Sequence, residues 1–392
     1  MYFQGEHQKE NPKSLWNKSF IFLNLSFFFV FSNIAFLYLY PLALDAMGNK
    51  YDVVGWVMGI FSIATVISRP FMGRLVFLKG EYRVISLGMA LILVGSLGYN
   101  LISGFGPLML LIRVIHGVGF SAFISGSFSL GAKVFHPAKQ GEAFSIIGVS
   151  LLGAVAFAPP FGEFLIRWLG FHALYIAACG SVILSWITMF SATYTLSPPQ
   201  KKDNKGCTRY MPLIKDRSFL FLLISTFIFA HCQSTVTNFF ALIAAKKDMS
   251  IGYFFFASYF VAVIVLLTMG KKIDSYGKLV FLKIFYPSFA IGIFIIPGMI
   301  ESPIYLVPAL LYGVGIGLLF PAHNALAAGH GSEFEKPAVM SLFTAIYDTG
   351  FITGAIASGW LAHLASLDML FVVTGILGFL GFFTVVVSPI KE

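Results

Sequence analysis

The stretch Gly73-Arg-Leu-Val-Phe-Leu-Lys-Gly80-Glu-Tyr-Arg83 decides the fold, because it has a counterpart half a chain further on. The counterpart is Gly270-Lys-Lys-Ile-Asp-Ser-Tyr-Gly277-Lys278. In both copies two glycines stand seven positions apart, basic residues surround them, and long apolar runs lie on either side. Each copy is therefore expected to connect two membrane helices. The chain of 392 residues is predicted to consist of two related halves, which is typical of transporters.

Composition also indicates a membrane protein. Hydrophobic residues make up 58% of the chain and charged residues 11%, whereas a soluble domain carries roughly 25% charged residues. The cysteines Cys179, Cys207 and Cys232 fit neither a disulfide framework nor a zinc-binding spacing. The segment Tyr2-Phe3-Gln4-Gly5 resembles the remainder of a cleavable purification tag and is set aside. The first apolar run has no signal-peptide cleavage site, so we expect it to stay in the mature protein.

Twelve apolar runs are long enough to cross a hydrocarbon layer about 30 Å thick. They are residues 20–42, 53–72, 84–101, 107–130, 143–165, 173–194, 219–244, 251–269, 279–299, 304–328, 339–364 and 369–387. We predict an all-α integral membrane protein with two pseudo-symmetric six-helix bundles. Its parts are a tag remnant and cytoplasmic tail (1–14), an N-terminal bundle (15–196), a cytoplasmic linker (197–218) with six basic residues, and a C-terminal bundle (219–392).

The distribution of positive charge predicts the orientation. With the N-terminus inside, 20 of the 26 Lys and Arg residues fall on the cytoplasmic side and four on the other side. Because Lys and Arg favour cytoplasmic loops, both termini are expected in the cytoplasm, and we expect a bacterial inner membrane. The same distribution argues against nucleic-acid binding despite a net charge of +9, since the charges form no single patch.

The twelve spans, the basic middle loop and the glycine-bracketed loop resemble the major facilitator superfamily over essentially the whole chain. Three segments resemble its drug:proton antiporter branch, including small bacterial efflux permeases. They are Arg113-Val-Ile-His116-Gly117-Val-Gly119 in span 4, Ala158-Pro159-Pro160-Phe161-Gly162 in span 5, and Ser68-Arg69-Pro70 before Gly73. The resemblance implies the major facilitator fold, proton-coupled transport and, from span 5, export.

The resemblance also implies gating residues. These are Gly73, Gly80 and Arg83 in the first loop, Gly270, Asp274 and Gly277 in the second, and Pro159, Pro160 and Gly162 in span 5, where a kink is expected. The first loop departs from the family pattern, because Phe77 stands where an aspartate is usual. The second loop keeps that acid as Asp274.

Ionisable residues inside the spans are candidates for coupling, because they are costly in hydrocarbon. Asp348 lies near the middle of span 11, where burial favours its protonated form. Arg113 in span 4 keeps its charge and needs an acid, carbonyl groups or an anionic substrate. His116 lies one helical turn further on and titrates near neutral pH. Each of the three has a structural alternative as a buried tie between helices. Glu163, near the end of span 5, is interpreted as a solvated helix end.

Further polar residues fall at mid-depth in spans 1, 7 and 10, which line the cavity in this superfamily. These substrate-binding candidates are Asn33, His231, Gln233, Asn238, His323 and Asn324. Asn, Gln and His also serve as hydrogen-bonding links between helices, so a structural role stays open for each of them. His231, Cys232, His323 and Asp348 share no short ligand spacing, and no metal site is predicted.

Our first hypothesis is a proton-coupled exporter of a small organic molecule that works by alternating access, with Asp348 and His116 as the coupling residues. The alternative is an importer or facilitator of an organic anion, with Arg113 binding its carboxylate; transition-metal transport is less favoured. The sequence contains no Ser/His/Asp arrangement and no Gly-Lys-Ser/Thr phosphate loop, so we expect neither an enzyme nor a cofactor. The expected partners are the substrate, protons and membrane lipid, and the expected state is a monomer.

Overall fold

The computed structural model describes residue 16, residues 18–135, 139–191, residue 213, residues 215–302, 304–332 and 335–389. The predicted tail at 1–14 and most of the predicted linker at 197–218 lie outside these residues, as does the side chain of Asp274. The described part of the chain is helical.

Twelve long helices make up the described structure. They are α1 (Lys18–Ala46), α2 (Tyr51–Lys79), α3 (Glu81–Leu101), α4 (Pro107–Val134), α5 (Gln140–Leu169), α6 (Phe171–Ser191), α7 (Arg217–Lys246), α8 (Ile251–Met269), α9 (Lys278–Phe294), α10 (Leu306–Ala328), α11 (Lys336–Leu364) and α12 (Leu367–Val387). Eleven are long and apolar enough to cross a membrane. In α1 and α3 the chain passes through a 3-10 turn at Leu37–Leu39 and Tyr99–Leu101.

Helix α9 is the exception, because the span predicted at 279–299 is interrupted. The helix has 17 residues and ends at Phe294, and a separate turn of helix occupies Ile296–Met299. Pro297 stands in the first turn of that short helix, where the missing N–H of proline costs nothing. From Lys278 to Met299 the two pieces together cover about 33 Å at 1.5 Å per residue, enough to cross the hydrocarbon layer.

The prediction of a connecting loop from Gly73 to Arg83 is wrong for most of that stretch. Gly73 lies inside α2, which continues to Lys79, and Arg83 lies in the first turn of α3. The connection between the two helices is Gly80 alone, with φ 84°. In the second copy, a 3-10 turn and the short helix Ile273–Tyr276 precede Gly277, with φ 95°. The duplicated element is thus a glycine in the left-handed region, which other residues rarely adopt.

The two halves pack alike. In the first half α3 and α2 pack on α4, and α1 packs on α5 and α6; in the second half α9 and α8 pack on α10, and α7 packs on α11 and α12. Between the halves α2 packs on α11 and α5 packs on α8. These two contacts are equivalent by the repeat, because α2 corresponds to α8 and α5 corresponds to α11 six helices later. The duplication seen in the sequence is therefore present in three dimensions as two bundles related by pseudo-twofold symmetry.

The bundles meet closely at one end of the molecule, where α2 and α8 begin and α5 and α11 end; we call it the sealed end. A Cβ atom on Gly55 would lie 2.7 Å from the carbonyl oxygen of Ala355 and 2.9 Å from the Cα atom of Gly359. A Cβ atom on Gly252 would lie 2.6 Å from the Cα atom of Pro160. Small residues allow this backbone approach, which is the usual way in which helices pack in lipid.

Candidate functional site

A cavity of about 480 Å³ lies between the two bundles. Four helices of each bundle contribute to its wall: α1, α2, α4 and α5 from the first, and α7, α8, α10 and α11 from the second. Much of the wall is aromatic, with Phe31, Tyr38, Phe61, Phe120, Phe128, Tyr259, Phe320, Tyr347 and Phe351. The polar lining groups include Ser62, Thr65, Arg69, Arg113, Gln233, Thr237, Asn238 and Asp348. Such a wall suits a ligand with an apolar body and few polar groups.

An ion pair inside the cavity joins the bundles. Nη1 of Arg69 on α2 donates a hydrogen bond to Oδ2 of Asp348 on α11. The Asp348 side chain is 16% exposed and that of Arg69 34%. The Nε atom of Arg69 is shielded from solvent and has no hydrogen-bond partner among the described residues. The Asp348 carboxylate is thus balanced by one guanidinium group that still has an unused donor.

Arg113 is held differently, because its partners are neutral. Its Nε donates to the carbonyl oxygen of Val57 at 3.0 Å, and its Nη2 donates to that of Met58 at 3.2 Å. Its Nη1 donates to the Tyr99 hydroxyl at 3.2 Å, and the ring centroid of Phe61 lies 5.0 Å from the guanidinium carbon. Within the described ranges Arg113 forms no salt bridge. Carbonyl dipoles and an aromatic face therefore stabilise its charge.

His116 and Asn33 lie behind the cavity wall in a hydrogen-bonded chain. The Tyr99 hydroxyl accepts from Arg113 and lies 3.0 Å from Nδ1 of His116, and Nε2 of His116 lies 2.9 Å from Oδ1 of Asn33. Asn33 in turn donates to Ser96 Oγ at 2.8 Å and to the carbonyl oxygen of Ala178 at 2.9 Å. Both His116 and Asn33 are fully buried. These hydrogen bonds connect α1, α3, α4 and α6, an arrangement typical of residues that stabilise the packing of helices.

The polar residues predicted for the second half divide into two groups. Gln233 and Asn238 line the cavity, and Oε1 of Gln233 accepts from the Tyr347 hydroxyl at 2.9 Å. His323 is fully buried, 2.6 Å from Ser225 Oγ and 2.7 Å from the carbonyl oxygen of Leu319. His231 contacts the Thr353 hydroxyl at 3.2 Å. His231, His323 and Asn324 are not among the described residues that form the cavity wall.

The predicted gating residues of span 5 lie at the sealed end. Pro159 and Pro160 are inside the single helix α5, which runs from Gln140 to Leu169. Pro160 contacts Gly252 of the other bundle. A Cβ atom on Gly162 would lie 2.8 Å from both Leu174 and Leu39. Pro160 therefore lies where the two bundles touch, whereas Gly162 packs against α1 and α6 of its own bundle. The part of these residues in gating stays a prediction.

From the sequence, no role was assigned to several residues of the cavity wall, among them Arg69, Tyr259 and Tyr347. Arg69 was recognised in the Ser-Arg-Pro segment but received no role. A signal was available, because an arginine and an aspartate within predicted spans each need a counter-charge. The tyrosines give no such signal, since a phenolic ring is common in a membrane helix on any face.

Comparisons with known proteins agree with this architecture. The family model described as Major Facilitator Superfamily matches residues 21–333 and 248–391. The uncharacterized MFS-type transporter YhhS of Shigella flexneri is 26% identical over 325 residues, which cover 80% of this chain and 78% of the relative.

Two crystal structures have a similar fold. The nucleoside transporter NupG superposes with a TM-score of 0.76 at 14% identity, covering 95% of this chain and 100% of that one. The human organic anion transporter MFSD10 gives a TM-score of 0.66 at 16% identity, covering 94% and 99%. Together with the family match, the twelve-helix architecture and the central cavity, these findings show that the chain belongs to the Major Facilitator Superfamily and is a membrane transporter, not an enzyme.

Proposed function

We propose that this transporter couples the movement of a small organic molecule to protons, with Asp348 as the proton carrier. The observation that supports this proposal is the ion pair between Arg69 and Asp348, which joins α2 to α11 inside the cavity. Protonation of Asp348 removes its charge and weakens the link between the bundles. The step that changes the charge of the site thus also changes the free-energy difference between the conformation in which α2 and α11 are linked and one in which they are apart.

This arrangement supports a mechanism of alternating access. The cavity lies between bundles that pack closely at the sealed end. Rocking of the bundles about the cavity would open that end and close the opposite one, as expected for a transporter built from repeats. Under the topology proposed from the positive charges, the sealed end faces away from the cytoplasm. On that topology, the transporter in this state would exchange substrate with the cytoplasm.

Export of a neutral or cationic compound in exchange for protons is the function that the span 5 resemblance favours. In such an antiporter, the substrate would bind when Asp348 is charged, and protonation of Asp348 would release it. The second candidate is transport of an organic anion, and a specific observation favours it. Among the described lining residues, two guanidinium groups, Arg69 and Arg113, stand against one carboxylate, Asp348. The two similar crystal structures do not distinguish between the candidates, since one is of a nucleoside transporter and the other is of an organic anion transporter.

The coupling is tested with reconstituted protein and an imposed pH gradient. A substrate is first found by a thermal-shift screen of metabolites and drugs, because a true ligand stabilises the folded protein by mass action. The pH gradient should then drive accumulation of that substrate by the wild-type protein. Asp348→Asn should exchange the substrate across the membrane without responding to the gradient. Unchanged gradient-driven accumulation in this variant would remove Asp348 from the proposal.

A further inference from the structure

We infer that Arg69 binds an acidic group of the substrate, and that the anionic substrate and a proton therefore bind together instead of competing. The inference rests on the proposed function, in which Asp348 carries the coupled proton. It names the chemical class of the substrate and the residue that recognises it.

The two arginines of the cavity differ in their availability. Arg113 is 3% exposed, and each of its three guanidinium nitrogens already donates a hydrogen bond. Arg69 is more exposed, and its Nη1 donates to Asp348. Its Nε has no partner among the described residues although it is shielded from solvent. A guanidinium group binds a carboxylate best through two parallel hydrogen bonds, and Arg69 has the donors for such a ligand.

The surroundings of Arg69 suit an acid with an aromatic body. Phe61, Phe120, Phe320 and Phe351 line the same cavity, and their rings can pack against a planar apolar group. The charged residues of the described wall sum to one positive charge, since Arg69 and Arg113 outnumber Asp348. An anion would neutralise this excess, whereas a cation would add to it.

The sign of coupling follows from what happens to Asp348. A substrate carboxylate on Arg69 replaces the carboxylate of Asp348 as the partner of the guanidinium group. One ion pair is exchanged for another, and Asp348 is left in an apolar cavity without its counter-charge. A carboxyl group in that situation favours the protonated form. One proton therefore moves from water to a carboxylate oxygen of Asp348 as the anion binds.

The other groups around Asp348 do not replace Arg69. Tyr347, its neighbour on α11, and Tyr259 of α8 are neutral phenols that line the cavity, and Arg113 of α4 is held by carbonyl groups. The histidines of the adjacent helices are engaged elsewhere: His231 of α7 contacts Thr353, and His323 of α10 contacts Ser225.

Reciprocal linkage then fixes the mode of transport. If the anion strengthens proton binding, the proton strengthens anion binding by the same factor. Substrate and proton would therefore cross the membrane in the same direction. This outcome favours the organic anion importer over the proton-exchanging exporter.

The test uses the purified full-length chain and defined probes. Benzoate, salicylate and indole-3-acetate are each paired with the corresponding primary amide, which has similar size and no charge. Thermal shift identifies binding at pH 6 and pH 8, and proton uptake on binding is followed with a pH dye in weak buffer. We expect at least one carboxylate, and no amide, to stabilise the protein. The affinity for this carboxylate should fall by up to about tenfold for each unit by which the pH rises, in the range where Asp348 is ionised. Binding should take up to about one proton per protein from solution.

Variants separate the two residues. Asp348→Asn mimics the protonated acid, so at pH 8 it should bind the carboxylate about tenfold or more tightly than the wild type, without proton uptake. Arg69→Gln should lose this binding, and Arg69→Lys, which keeps the positive charge, should retain part of it. Arg74→Gln and Asp45→Asn change exposed residues and should behave as the wild type. Gel filtration confirms that each variant is folded.

Several results would overturn the inference. They are proton release on binding, undiminished carboxylate binding in Arg69→Gln, loss of binding in Asp348→Asn, or no stabilisation by any carboxylate. A different result would count against the proposed function alone. If a carboxylate binds through Arg69 but gradient-driven transport is the same in Asp348→Asn, the anion site stands and Asp348 is not the proton carrier.

Discussion

Glu163 near the end of α5 accepts a hydrogen bond from the backbone N–H of Gly252 in the first turn of α8, with 2.6 Å between N and Oε2. The same oxygen accepts from Ser250 Oγ at 2.9 Å, and Oε1 pairs with Arg167 at 2.8 Å. Helix α8 belongs to the other bundle, so one carboxylate links the two bundles at the sealed end. A negative charge is favourable there, because it faces the positive end of the α8 dipole. The interpretation of Glu163 as a solvated helix end was wrong.

Replacing Glu163 by Gln should shift the transporter toward the state that is open at the sealed end. The amide keeps the size of the side chain but weakens the charge-assisted bonds to α8, at a cost of about 1–2 kcal/mol. Such a change alters the ratio of two states by a factor of about 5–30. The distance between spin labels at Lys50→Cys and Ala365→Cys, in a background without the native cysteines, reports the shift. Glu142→Gln, at the exposed opposite end of the same helix, is the matched control. Equal distance distributions for Glu163→Gln and this control would exclude the role.

Gly55→Ala should prevent closure of the sealed end. The new methyl group would lie 2.7 Å from the carbonyl oxygen of Ala355 and 2.9 Å from the Cα atom of Gly359, and these backbone atoms cannot move aside cheaply. We expect at least a tenfold loss of transport activity, which corresponds to an increase of about 1.4 kcal/mol in the activation barrier. The distance between the same two spin labels should become longer. Gly180→Ala meets no atom within 4 Å and should keep full activity. Normal transport by Gly55→Ala would show that the contact is not needed.

The hydrogen-bonded chain from Arg113 to Asn33 should contribute to stability and not to proton coupling. Asn33→Ala removes the acceptor of His116 Nε2 and the donor to Ser96 and Ala178. Leaving buried polar groups without partners costs about 1–3 kcal/mol each, so thermal unfolding should occur at a clearly lower temperature. The pH dependence of transport should not change. His172→Ala, at an exposed histidine, is the control. A variant of Asn33 or His116 that is fully stable but uncoupled would instead support the predicted role of His116 in proton coupling.

Lys247 should contribute stability that depends on pH. Its Nζ lies 3.3 Å from Oε1 of Glu301 and 3.4 Å from Oδ1 of Asp368. Partial burial opposes its charge, but the two carboxylates outweigh this effect and raise the pKa of Lys247 above 10.5. A raised pKa means that the stabilisation is complete below about pH 10 and is lost as the pH rises through the folded-state pKa.

The effect of Lys247 should be small, because both acidic partners are largely exposed and salt screens them. Lys247→Met should lower the unfolding temperature slightly at pH 8 in low salt, and 0.5 M NaCl should remove most of the difference. Lys246→Met, at the exposed neighbouring position, is the control. A salt-independent difference would point to lost packing of the aliphatic stem instead.

Much of the architecture was predictable from local patterns. Hydrophobic runs of membrane length fix the number of helices, because backbone groups in lipid must be satisfied within a helix. The repeat of the Gly73 and Gly270 segments predicted the two halves, although their extent as loops was wrong. Gly73 is compatible with a helix, and the stretch around it continues α2 to Lys79, where only Gly80 breaks the helix.

The position of each polar group was decided by tertiary structure. A helical sequence fixes which residues share a face, but the face that meets the cavity depends on how α2, α4 and α11 are rotated in the packed bundles. Arg113 and Asp348 were identified because an ionisable residue in hydrocarbon is costly wherever it points. That Asp348 pairs with Arg69, while His116 turns to Asn33, depends on contacts between residues far apart in the chain. The sequence thus determined the helices and their duplication through local energetics, and only long-range packing determined which charges meet.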